Sequence, residues 1–139
     1  ADGMTATAIL AGCLQALNAD FFWYVPDRFD EGYGLNAAAL ATIKEKGAGL
    51  VVTVDCGIAS VAEAVAAREL GLELIVTDHH AFEDELPEAD VLVHPRLPGH
   101  DYPFGELCGA GVAFKLAWAI ATRASGAKQV TPRVRALLL

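Results

Sequence analysis

The chain reads as an α/β domain: a mainly parallel sheet with helices on both faces, a three-layer, Rossmann-like α/β/α arrangement over residues 1–139. Three observations predict it. Strand-like and helix-like segments alternate along the chain. The strands LVVTV (50–54) and LELIVT (72–77) are continuous apolar runs rather than alternating ones. Between them lies a helix signature, so the three segments form one βαβ unit with parallel strands whose C-terminal ends share an edge.

Each element has its own local signal. Residues 3–18 are rich in Ala, with apolar residues at 9, 10, 13, 14 and 17, the spacing of one helix face. FFWYV (21–25) is an aromatic and β-branched run stopped by Pro26, which predicts a strand. Asn36 can cap a helix over 37–46, with Lys44 and Lys46 in its last turn and Gly47 just beyond. Ser60 and Glu63 have the spacing of a capping box, and Gly71 closes the helix it opens. Glu83, Asp84, Glu85, Glu88 and Asp90 make an acidic loop, expected to be solvated, before a short strand VLV (91–93). Residues 112–123 are apolar nearly all round, which predicts a buried helix.

Composition narrows the class. A hydrophobic share of 54% in 139 residues is ample for one packed core. No apolar run approaches a membrane span, and ADGMTATAIL has no basic region of a signal peptide. That start and the LLL ending read as an excerpt, a partial domain truncated at both ends. Cys13, Cys56 and Cys108 are odd in number and far apart, which fits a reducing cytoplasm and small apolar packing roles. The net charge of −8 is unevenly spread: all 18 acids lie at or before Glu106, with five of the ten bases after it. An acidic body argues against a surface that coats nucleic acid and is compatible with carboxylates gathered for metal ions.

The chemistry concentrates behind the strands. Asp55 follows the first, and Asp78, His79 and His80 follow the second. Neighbouring side chains on a strand point to opposite faces, so one core face cannot hold both histidines; a polar site at the sheet's rim can. A lone turn aspartate or a lone histidine is commonplace, but Asp-His-His beside a second acid favours a metal site. Asp2, at the start of the first helix, adds another carboxylate, or simply caps that helix. Mixed carboxylate and imidazole ligands suit Mn²⁺, and less characteristically Mg²⁺ or Zn²⁺. CGAGVAF (108–114) breaks the dinucleotide glycine pattern at Phe114. The amides of Gly109 and Gly111 can meet a phosphate, or the glycines serve tight turning and close packing. Arg28 lies toward the same edge, as a phosphate contact or an ion pair with Asp27, Asp30 or Glu31. His94 and His100 are lone loop histidines and receive no role.

Asp2-Gly3, VPDRFDEGYGL, VTVDCGI, VTDHH, HPRLPG and YPFGELCGAGVAFKL, in this order, resemble the DHH phosphoesterase superfamily. More closely they resemble its RecJ-type single-stranded-DNA-specific exonucleases. The resemblance covers essentially the whole chain and implies a centre of two Mn²⁺ or Mg²⁺ ions. It implies that Asp55 bridges the ions and that Asp2 and His79 are metal ligands. His80 would contact the scissile phosphate or support the metals, Asp78 would orient the histidine pair, and Arg28 would hold nucleic-acid phosphate. The implied activity is metal-dependent 5′-to-3′ hydrolysis of single-stranded DNA in cytoplasmic repair and recombination, alongside replication or repair proteins. Alternatives on the same fold are an oligoribonuclease, a cyclic-dinucleotide phosphodiesterase, and a non-catalytic replication scaffold. The family motif has a further Asp two residues before Asp2, and another ligand Asp expected beyond Leu139. The isolated 139 residues are therefore expected to bind metal poorly and to show little nuclease activity.

Overall fold

The two continuous apolar runs pair directly. A computed structural model describes residues 1–26, 34–82, 84–126 and 132. In it β1 (Leu50–Val54) and β2 (Glu73–Thr77) run parallel, with Val51 opposite Leu74 and Thr53 opposite Val76. β3 (Val91–Val93) adds to the far side of β2, again parallel, giving the order β1-β2-β3. The predicted VLV strand is thus present, and the sheet is parallel throughout the described residues.

Helices cover both faces. α2 (Ala37–Glu45) and α3 (Val61–Glu69) pack on the face that carries Val51, Leu74 and Val76, with Leu40, Ile43, Ala64 and Ala67 completing that core. α1 (Asp2–Ala16) and α4 (Gly109–Ser125) pack on each other through Cys13, Ala117 and Ala121 and contact β1 and β2 from the other side. The small residues Cys13, Ala117 and Ala121 let α1 and α4 pack together, and dispersion over that seam holds the two helices. The α/β fold class and its helical layers agree with the sequence expectation.

Local signals fared unevenly. Asn36 caps α2 as expected, its Oδ1 accepting from the Ala39 amide at 2.7 Å. Gly71 ends α3 with φ +65°, where a side chain would be strained. Ser60 stands at the start of α3 but makes no side-chain cap; its ψ of 61° departs from the extended backbone of a capping residue. FFWYV corrects the prediction more fully. Its Phe21 and Trp23 rings lie 6.4 Å apart and Lys46 lies over the alternate rings of Phe22 and Tyr24, yet no strand forms there. Strand propensity depends on packing context, and among the described residues the sheet holds β1, β2 and β3 only.

α4 begins three residues earlier than the apolar pattern suggested, at Gly109, and it is not buried all round. Val112, Ala113, Ala117 and Ala121 are buried, whereas Trp118 is 40% exposed. Two acids of the solvated loop are also engaged: Asp90 accepts from the Leu74 amide at 2.7 Å, and Glu88 pairs with Arg68 across an exposed surface. Glu83 lies outside the described residues.

Leu40 is fully buried between α2 and the sheet. Leu40→Ala is expected to lower stability by about 2–5 kcal/mol, read as a drop in urea midpoint without change in slope.

Candidate metal centre

The rim where β1 and β2 end is tied before any functional group is placed. The Thr77 hydroxyl donates to the Thr53 carbonyl at 2.6 Å, and the Thr53 hydroxyl donates to the Cys56 carbonyl at 2.7 Å. These bonds fold the chain sharply after β1. Asp55 takes φ +61°, a left-handed conformation that aspartate tolerates at a cost of about 1 kcal/mol. Gly57 follows at φ +108°, and a Cβ there would stand 3.1 Å from Thr53 Oγ1 and 3.2 Å from Val76 Cγ1. The turn aims the Asp55 carboxylate back across the sheet's edge.

Asp78 fixes the other exit. It is 2% exposed, and its Oδ1 accepts from the His79 amide at 2.7 Å, the His80 amide at 3.2 Å and His80 Nδ1 at 2.7 Å. Its Oδ2 accepts from the Ile58 amide at 3.0 Å, so one carboxylate joins the turn after β1 to the histidines after β2. Burial alone would raise the Asp78 pKa; the hydrogen bonds from Ile58, His80 and His79 outweigh it and hold the carboxyl below its ordinary value. Donation by His80 Nδ1–H leaves Nε2 with the ring's lone pair.

Two helix N-termini close the site from the other side. Asp2 does not cap its own helix. Its carboxylate accepts from the amides of Gly109 at 2.7 Å and Ala110 at 2.8 Å, and so caps α4. Burial works against its charge, but those amides and the nearby His79 keep its pKa below the ordinary value. Asp55 lies between the two helix starts. A Cβ built on Gly3 would come within 3.2 Å of Asp55 Oδ2, and one on Gly109 would collide with Asp55 Oδ1.

The residues converge. His79 Nε2 lies 3.1 Å from Asp55 Oδ1 and 3.6 Å from Asp2 Oδ2. Asp55, His79 and His80 each offer a donor atom within 4.8 Å of the others. The contact between His79 and Asp55 lacks hydrogen-bond geometry, so Asp55 Oδ1 is a buried acceptor with no hydrogen-bond partner. Such a group is costly unless a cation meets it. The donor set of carboxylate and imidazole fits a divalent ion of the Mn²⁺ type. Cys56, next in the chain, is unsuited as a thiolate ligand: burial, then the charges of Asp78 and Asp55, push its thiol up to about 11.

The structure therefore brings together Asp2, Asp55, Asp78, His79 and His80 from the sequence reading. Gly109 reaches the same place, but its amide is taken by Asp2 rather than left for a phosphate, and Gly111 packs on Leu107, with a Cβ there only 3.1 Å from Leu107 Cδ2. Arg28 lies outside the described residues. Sequence reasoning passed over His94. It directly follows β3, and a third parallel strand must deliver its next residue to the same rim; VLV was the signal.

Acid tests the electrostatics. The folded pKa values of Asp2 and Asp78 lie below the ordinary 3.8, so the unfolded chain takes up protons first as the pH falls. Their stabilisation is complete above about pH 5 and is lost as the pH drops through the unfolded value near 4 and below. Asp78→Asn should remove about 1–3 kcal/mol at neutral pH and flatten the acid limb of a stability–pH profile below about pH 4.

Comparisons with known proteins give the family. The chain matches the DHH family, N-terminal domain, over residues 1–139. It is 55% identical over 120 residues to the single-stranded-DNA-specific exonuclease RecJ of Bacillus subtilis, covering 86% of this chain and 15% of that protein. It is 43% identical over 123 residues to RecJ of Escherichia coli, covering 88% of this chain and 21% of that one. Among solved structures, exonuclease RecJ bound to manganese superposes with a TM-score of 0.78 at 38% identity, covering 99% of this chain and 34% of the other. RecJ of Thermus thermophilus in complex with Mn²⁺ gives 0.75 at 36% identity, covering 99% and 19%. The chain thus spans about a fifth or less of the curated relatives it matches. Since residues 1–139 all match that family model, the chain belongs to the DHH family, N-terminal domain.

Proposed function

We propose that this domain is part of a metal-dependent exonuclease that hydrolyses the phosphodiester bonds of single-stranded DNA from the 5′ end, in cytoplasmic repair and recombination. One observation carries the reading: a buried, orphaned Asp55 carboxylate oxygen 3.1 Å from His79 Nε2, at the shared end of two parallel strands. The similarity to RecJ proteins, two of them solved with manganese, supports the substrate and the choice of ion.

Asp55 and His79 would hold Mn²⁺ or Mg²⁺, with Asp2 alongside. When bound, a pair of such ions supplies Lewis acidity, lowering the pKa of a water and sharing the charge that builds on the phosphoryl oxygens. The protein's own contribution is orientation. Asp78 holds the His80 ring through Nδ1, so that Nε2 is presented as the free nitrogen on the phosphate side. The amides at the start of α4 keep Asp2 ionised and pointed at His79. Asp55 is held by its turn between Gly3 and Gly109, which leaves its carboxylate little freedom to swing away. Ligation needs ionised aspartates and neutral imidazoles, so cleavage should fail in acid.

The test uses the full-length protein, Mn²⁺ and 5′-phosphorylated single-stranded DNA, with dinucleotides as a comparison substrate. Asp55→Ala and His79→Ala are each expected to cut the rate by about 100-fold or more. Equal rates in the wild type and both variants would remove the mechanism. Faster turnover of dinucleotides than of long DNA would replace the substrate.

A further inference from the structure

The histidine pair is held from behind as well as from the side. His94 is 7% exposed and its ring makes two directed contacts. Nε2 lies 2.9 Å from the His80 carbonyl, and Nδ1 accepts from the Arg96 amide at 3.0 Å. The amide can only donate and the carbonyl can only accept, so the pair of partners fixes the tautomer with the proton on Nε2. Phe82 packs against the same ring, with centroids 4.9 Å apart and the ring planes near perpendicular. Arg96 then turns its side chain to the neighbouring residue, Nη2 donating to the His79 carbonyl at 2.7 Å.

The consequence is a two-sided clamp. Asp78 takes the amides of His79 and His80; His94 and Arg96 take their carbonyls. All four polar groups of a dipeptide that leaves the sheet are thereby satisfied by fixed partners. Without His94 the His80 carbonyl loses its tether to β3, and the peptide can rotate about the remaining bonds. A small rotation there displaces the His79 ring from Asp55 and the His80 Nε2 from its direction, because both rings hang on that backbone.

We infer that His94 is a positioning residue: by donating from Nε2 to the His80 carbonyl, it sets the main chain of the His79–His80 pair and so the aim of both imidazoles. This rests on the reading of those imidazoles as the metal and phosphate side of a nuclease. His94 acts only through the backbone it holds.

The experiment compares His94→Phe and His94→Gln in the full-length protein. Phenylalanine keeps a ring against Phe82 and loses both polar contacts; the glutamine amide can place an N–H where Nε2 stands. Three readouts are taken: kcat and KM on single-stranded DNA, Mn²⁺ affinity by electron paramagnetic resonance, and amide hydrogen exchange over residues 77–82 without metal. His94→Phe is expected to weaken Mn²⁺ binding and lower kcat by about 10–100-fold with little change in KM, and to speed exchange at 79 and 80. His94→Gln should recover most of each loss. Leu40→Ala, a destabilising change in the remote core, should leave kcat and Mn²⁺ affinity unchanged. Wild-type kcat, Mn²⁺ affinity and exchange in His94→Phe would overturn the inference, as would a His94→Gln protein as impaired as His94→Phe. Should the wild type neither bind Mn²⁺ nor cut DNA, the nuclease reading falls. The clamp is then judged on exchange alone, supported by faster exchange in His94→Phe with recovery in His94→Gln and overturned otherwise.

Discussion

Almost everything at the rim depends on the carboxylate of Asp78. It is nearly inaccessible to water and accepts from three main-chain amides and one imidazole. A buried charge is tolerated only with such saturation. Through Ile58 it fixes the turn that carries Asp55, and through its own neighbours it fixes His79 and His80. Two strand exits that are adjacent in the sheet are thereby locked into one geometry. Loss of this side chain would leave the buried Ile58 amide without a partner, costing about 1–3 kcal/mol, and would free the part-buried amides of His79 and His80.

A second constraint comes from helix ends. Three carboxylates, those of Asp2, Asp55 and Asp78, gather where the strands end, in a chain already of net charge −8. Their mutual repulsion has to be met locally. The N-terminus of α4 supplies amides to Asp2, and the turn after Gly57 supplies one to Asp78. Asp55 Oδ1 receives none. The surroundings thus meet Asp2 and Asp78 with hydrogen bonds and leave one oxygen of Asp55 without any, the acceptor to which a cation would add most.

Legibility in the sequence followed the range of the interaction responsible. LVVTV, LELIVT and VLV were readable because continuous apolar runs follow from burial on both faces of a parallel sheet, and parallel pairing then placed Asp55 with Asp78-His79-His80 before any coordinates. Contacts set by long-range packing were not readable. FFWYV has the residues of a strand, yet residues 21–25 form none among the described residues. Asp2 reads from sequence as a site carboxylate or a cap for its own helix, but its capping of the helix that begins at Gly109 depends on how α1 and α4 pack. The glycines of CGAGVAF left two readings open; the close approach of Gly109 to Asp55 shows a packing demand that no spacing rule encodes. His94 was dismissed because it was weighed alone, when its place after a third parallel strand was already predictable.

The central claim is that Asp55 and His79 share one divalent cation at the end of β1 and β2. Its most direct test is anomalous diffraction at the manganese edge, from crystals of the full-length protein grown with Mn²⁺. The account predicts a peak within bonding distance of both Asp55 Oδ1 and His79 Nε2. It is contradicted if manganese binds elsewhere, or if no peak forms and His79 simply donates a hydrogen bond to Asp55.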